Sequence, residues 1–263
     1  MIDTHCHLYL KDFDKDRESL ITESVQAGVQ IMLVPGIDFA SSIKACDLSL
    51  NYAGIVYSAV GIHPNSSSRF DDDSFCNLIN NYSDQIVAIG EIGLDYFRDF
   101  SSKYEQKYTF EKMLSLAQKE DLPICLHNRN SEDDLLDILS KWYTRVDKKA
   151  SSTGVFHAYD GSAAIAEWAI DHGFFVGIGG MITYKKYDTL RERLKIIRLE
   201  NIVIETDSPY LTPVPFRGKR NSPPNLIFIV EALATIFNHS IEEISQITDQ
   251  NAMHLFGLNK NSR

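Results

Sequence analysis

The sequence predicts a (β/α)8 TIM barrel with an extra C-terminal helix. Two observations lead there. Short β-rich runs alternate with helical periods eight times, and residues with metal-ligating chemistry recur where those runs end. Groups repeated once per strand–helix unit converge at one mouth of a closed barrel. The competing architecture, an open doubly wound sheet, gathers ligands only near one switch point.

Taken in order, the strand-like runs are 1–4, 29–34, 55–61, 86–90, 123–126, 154–156, 174–178 and 202–206. Helical periods follow near 14–27, 39–51, 72–82, 102–120, 132–144, 162–172, 185–197 and 225–238. Ser102 with Glu105, and Ser131 followed by acids, mark two helix starts; Ser240 with Glu243 opens the last helix, which runs to about Leu255 before Gly257. The polar stretch 144–152 is expected to join a helix to a strand on the far face of the barrel. No linker or low-complexity tract interrupts the pattern.

Parity along the strands sorts the side chains. His5 and His7 share a face and Cys6 takes the other. If the histidines face the lumen, Cys6 packs outward, Cys125 fills the lumen below His127, and Glu205 points inward with Asp207. His5, His7, Glu91, His127, His157 and Asp207 then offer four imidazoles and two carboxylates. Such donors suit zinc, manganese or iron, and the acids also suit magnesium. Any one of them alone reads as an ordinary polar residue at a loop. Six at strand ends read as a metal site, and six donors exceed what one tetrahedral ion needs, so a carboxylate bridging two ions follows naturally.

Composition narrows the partners. A net charge of −10 and a pI near 5.2 exclude binding long nucleic acid through the overall field, so any phosphate must be held locally. Arg217, Lys219 and Arg220 lie in a Pro- and Gly-rich loop after the eighth strand, and Arg129 stands two residues past His127; these are the candidate phosphate contacts, with Lys185 and Lys186 weaker. The competing view of these cations is a solvated surface. Tyr96, Phe97 and Tyr159 could stack bases or simply pack. His172 suits a helix end, and His172, His239 and His254 are given no function. No run of about 18 apolar residues exists, so no membrane partner is expected. No secretory leader is visible, and the four cysteines lack disulfide-framework spacing; a reduced, cytoplasmic, monomeric protein is the expectation.

The motifs Asp3-Thr4-His5-Cys6-His7-Leu8, Gly61-Ile62-His63-Pro64, Gly90-Glu91-Ile92-Gly93-Leu94-Asp95-Tyr96, Pro123-Ile124-Cys125-Leu126-His127, Phe156-His157, Glu205-Thr206-Asp207-Ser208-Pro209-Tyr210-Leu211 and the 215–223 loop resemble those of the TatD family of metal-dependent deoxyribonucleases, within the amidohydrolase-like barrels. The resemblance spans 1–263 as one barrel. It implies that His5, His7, Glu91 and Asp207 hold one ion, and that Glu91 bridges to a second held by His127 and His157. It places His63 at the substrate rather than on a metal, binding or protonating a phosphate oxygen, and leaves Asp207 free to orient the attacking water as well. Tyr159 departs mildly from the family pattern and adds a hydroxyl near the site. The implied activity is a 3′–5′ exonuclease on single-stranded DNA, using two divalent ions (Mg, Mn or Zn). The alternatives are an ester or amide hydrolase, such as an aminoacyl-tRNA deacylase, and a metal-bound scaffold without turnover.

Overall fold

The computed structural model describes residues 1–69, 72–98, 100–146 and 153–258. Eight parallel strands run in sequence order: β1 (Ile2–Asp3), β2 (Ile31–Pro35), β3 (Val56–Val60), β4 (Ile86–Asp95), β5 (Ile124–Arg129), β6 (Gly154–Phe156), β7 (Phe175–Ile178) and β8 (Ile202–Ile204). The ring closes where Thr4 N–H donates to Ile204 O at 3.0 Å, Asp207 N–H to His5 O at 2.8 Å and His7 N–H to Ser208 O at 2.8 Å. The barrel expected from the sequence is therefore the fold.

Outside it lie α1 (Arg17–Gln26), α2 (Phe39–Asn51), α3 (Asp72–Asn81), α4 (Lys103–Glu120), α5 (Glu132–Tyr143), α6 (Ala163–His172), α7 (Asp188–Leu194) and α8 (Leu226–Phe237). A last helix, α9 (Ile241–Phe256), ends at Gly257, whose φ of 63° suits a residue without Cβ. Strand alternation divides the core in two. Ile2, Ile31, Leu33, Ala59, Ala88, Cys125, Val155, Phe175 and Val203 fill the lumen, while Cys6, Met32 and Val34 pack outward against the helices. Both cysteine expectations hold. Ala252, Leu255 and Phe256 of α9 join the lumen cluster, so this helix seals the N-terminal mouth of the barrel.

Several expectations need correction. β4 runs five residues past Gly90, with a register irregularity between Ile89 and Ile92, and continues pairing with β5 as far as Asp95 opposite Arg129. Two glycines and two acids disguise that extension as a loop. Gly93 explains part of it: its φ is 141°, and a Cβ there would stand 2.0 Å from His127 O. The helix expected over 185–197 is the seven-residue α7, so Lys185 and Lys186 belong to the approach to it. Ser131 precedes α5 without capping it; its Oγ lies 2.8 Å from Leu94 O and from Asn128 Oδ1 instead, tying β4 to β5. Of the expected 144–152 connection, 147–152 fall outside the described residues.

The other two boxes form. Ser240 Oγ accepts from Glu243 N–H at 3.1 Å, and the Glu243 carboxylate accepts from Ser240 N–H at 2.8 Å. Ser240→Ala is expected to lower stability by about 1 kcal/mol, the usual cost of an N-cap. Equilibrium urea unfolding reads this directly, and an unchanged midpoint would show that α9 does not depend on its cap.

Candidate metal centre

The C-terminal ends of the strands carry every chemistry-bearing side chain predicted above. His5 and His7 follow β1, His63 follows β3, Glu91 lies in β4, His127 in β5, His157 follows β6 and Asp207 follows β8. Asp207 sits at a φ of 52°, a left-handed turn that Asp tolerates, closed by Tyr210 N–H donating to Asp207 O at 2.7 Å.

Glu91 stands at the centre, 3% exposed. Its Oε2 faces one group of donors: His5 Nε2 at 3.4 Å and His7 Nε2 at 3.7 Å. Asp207 Oδ1 completes that group, 3.5 Å from His7 Nε2 and 3.9 Å from His5 Nε2. Its Oε1 faces the other: His127 Nδ1 at 2.8 Å, His157 Nε2 at 3.1 Å and His63 Nε2 at 3.5 Å. His5, His7 and Asp207 gather closely enough to share one ion, and so do Glu91, His127 and His157.

The electrostatics fit a cation. Burial would push the Glu91 carboxyl up, but His157, His63 and His127 outweigh it and hold Glu91 well below the usual carboxylate range. Asp207 behaves alike: burial raises it, and the hydrogen bond to His7 with the charges of His157 and His5 lowers it further. Among the described residues the ion-pair partners of Glu91 are all histidines, with no Lys or Arg. Two buried carboxylates neutralised only by imidazoles form a donor set that divalent ions can occupy by displacing protons.

His7 and His157 are each approached from behind by an oxygen, as ligating histidines usually are. His7 Nδ1 lies 3.2 Å from Pro35 O and from Tyr9 Oη. His157 Nδ1 lies 3.3 Å from Glu205 Oε1, which also accepts from Ala158 N–H. Glu205 therefore points inward as parity suggested, but its role in orienting His157 was missed. The signal was there: Glu205 and Asp207 share a face two residues apart. Asp3 was missed too. Its carboxylate accepts from Thr206 N–H at 2.9 Å and Thr206 Oγ1 at 2.6 Å, locking β1 to β8 just below the histidines. Burial pushes its pKa up to about 7. Asp95, part of the β4 motif but given no role, stands beside His63 and His127. Burial raises its carboxyl, yet His127 and the N–H groups of Arg98 and Phe97 bring it down to about 2.

His63 differs from the six. Its Nδ1 accepts a hydrogen bond from Asn65 N–H at 3.1 Å, which leaves its proton on Nε2, facing the site. Burial pushes the imidazole down to about 3, so it is neutral at ordinary pH. Of the two expected roles, binding or protonating a phosphate oxygen, a neutral N–H donor suits the first.

The rim is sorted less as expected. Arg220 is no free phosphate contact; its guanidinium pairs with both Asp16 oxygens at 2.9 and 2.5 Å and donates to Asp12 O at 2.6 Å. It pins its loop to the start of α1. Arg217 and Lys219 remain exposed, the first over the Tyr184 ring at 4.5 Å and the second over Phe216 at 5.4 Å. Arg129 is exposed and stacks on Phe97 at 3.9 Å, with Phe97 60% exposed. Tyr159 is buried and donates to Ser162 O, and Tyr96 is half-buried with Lys103 Nζ 4.0 Å over its ring. Tyr210, which the sequence did not single out, is 55% exposed and its ring lies 6.2 Å from that of His7. His172 packs on Trp168 at the end of α6, its Nδ1 2.7 Å from Trp168 O.

A (β/α)8 barrel with buried His, Asp and Glu donors at its C-terminal mouth defines a metal-dependent hydrolase. Within that class the chain belongs to the TatD-related DNase family, whose model matches residues 2–257. It is 34% identical over 98% of its length to the whole of YabD, a metal-dependent hydrolase of Bacillus subtilis. It is 32% identical over 98% of its length to the whole of the 3′–5′ ssDNA/RNA exonuclease TatD of Erwinia amylovora. The crystal structure of the TatD homologue YjjV of Escherichia coli superposes with a TM-score of 0.90 at 30% identity, covering 98% of both chains.

Proposed function

We propose that this hydrolase cleaves phosphodiester bonds with two divalent cations, removing nucleotides from the 3′ end of single-stranded nucleic acid. The observation that carries the reading is the division of Glu91: one oxygen faces His5 and His7, the other His127 and His157. Its substrate is supported by the exonuclease relative at 32% identity. His5, His7, Asp207 and Glu91 would hold one ion; Glu91, His127 and His157 the other. When bound, such a pair supplies Lewis acidity and neutralises charge for the attack of water on phosphorus. His63 donates its Nε2–H to a non-bridging phosphate oxygen, a preformed donor placed where charge develops. Asp207 orients the water through whichever oxygen is not engaged by an ion. Arg129, Arg217 and Lys219 receive backbone phosphates, and Phe97 and Tyr210 offer faces to unpaired bases.

The test is to incubate protein loaded with Mg, Mn or Zn with a 3′-labelled single-stranded oligonucleotide, beside an aminoacyl-tRNA. Label released as mononucleotide supports the proposal. Deacylation without nucleotide release would instead make this an ester hydrolase.

The rim gives a second expected result. Replacing Arg217 and Lys219 together by Ala should flatten the salt dependence of oligonucleotide binding. Each single-strand phosphate contact contributes about 0.7 to the log–log slope, so two remove about 1.4. Arg220→Ala should leave the slope nearly unchanged, since its charge is spent on Asp16. Affinity against salt, measured in a Glu91→Gln background, decides; an unaltered slope for the double variant would make the loop merely solvated surface.

A further inference from the structure

Asp95 is 2% exposed and lies behind the second group of donors. Three N–H donors and one imidazole nitrogen face its two oxygens. Oδ1 accepts from Phe97 N–H at 2.9 Å and Arg98 N–H at 3.1 Å. Oδ2 accepts from Asn65 Nδ2 at 3.2 Å and faces His127 Nε2 at 3.5 Å. The backbone of Asp95 is clamped as well: its N–H donates to Gln106 Oε1 at 2.9 Å and its carbonyl accepts from Gln106 Nε2 at 3.0 Å.

We infer that Asp95 is a positioning residue that fixes the His127 tautomer and ties it to the turns carrying His63 and Phe97. His127 Nδ1 faces Glu91 at 2.8 Å and would serve a cation there only as a bare lone pair, with the proton on Nε2. Asp95 is the carboxylate on that side. Through Asn65 it reaches the turn whose N–H fixes His63, and through the Phe97 N–H it reaches the aromatic under Arg129. Only a carboxylate satisfies four donors at once. Asn in its place, in either flip, turns an NH2 toward two of them.

The inference rests on the two-cation reading above. The first measurement uses wild-type protein loaded with Zn, with 15N-labelled histidine, and reads the His127 tautomer from long-range 1H–15N correlations. The His127 signals are assigned by their loss in His127→Gln. The Nε2–H form is expected, and an Nδ1–H form would overturn the inference without any variant having to fold. The second measurement is metal stoichiometry of Asp95→Asn in graded metal buffers, with circular dichroism to check the fold. One equivalent should bind about 10–100-fold more weakly and the other as in wild type. Two equivalents at wild-type affinity would also overturn it. A wild-type protein binding a single equivalent counts against the two-cation reading, and the tautomer still decides the role of Asp95.

Discussion

Glu91→Gln is expected to abolish hydrolysis in a protein that still folds. Glu91 is the only carboxylate among the described residues with an oxygen toward each donor group, Oε2 to His5 and His7 and Oε1 to His127 and His157. Gln keeps the shape but not the charge, and an amide cannot offset two dications held a few ångströms apart. Its NH2 would also face imidazole nitrogens that must present lone pairs. The loss should exceed the roughly 10²–10³-fold seen when one transition-state donor is removed from an active site. Turnover of a small phosphodiester, metal content and thermal unfolding are measured together. A folded Glu91→Gln protein with near-normal turnover would end the two-cation reading.

The second large effect is at His63. His63→Ala should lower turnover by about 10²–10³-fold, the range for losing one preorganised donor. Metal content should stay intact, because the Nε2 side of His63 carries its proton. The donor role also predicts a pH profile: a neutral imidazole loses no acidic proton near neutral pH, so wild type and variant should share the same alkaline limb. Loss of one equivalent of metal in His63→Ala would instead make His63 a ligand. An alkaline limb present in wild type and lost in the variant would make it a protonated acid instead.

Much of the metal centre was legible because the strand period is simple. Residues at the ends of parallel strands must emerge at one mouth, which singled out His5, His7, His127, His157, Glu91 and Asp207, while the family resemblance set His63 apart from them. What stood behind them was not legible. Asp95 and Glu205 sit in the same motifs, but nothing in the order of residues says which imidazole each would meet. The cations were the weakest part. Arg217, Lys219 and Arg220 are neighbours in sequence and look equivalent, yet Arg220 alone reaches back about two hundred residues to Asp16. Long flexible side chains choose partners by what folds beside them.

By itself, then, the sequence determined the barrel and the mouth that carries its candidate donors, since both follow from local periodicity and face. Only the tertiary structure decided that β4 continues through Glu91 to Asp95, that α9 turns under the barrel to seal it with Leu255 and Phe256, and that Glu91 faces two separate groups. Those outcomes depend on contacts between segments far apart in the chain. Gly93 is tolerated in a strand because His127 O lies where its Cβ would be, and that neighbour is set by packing, not by local propensity.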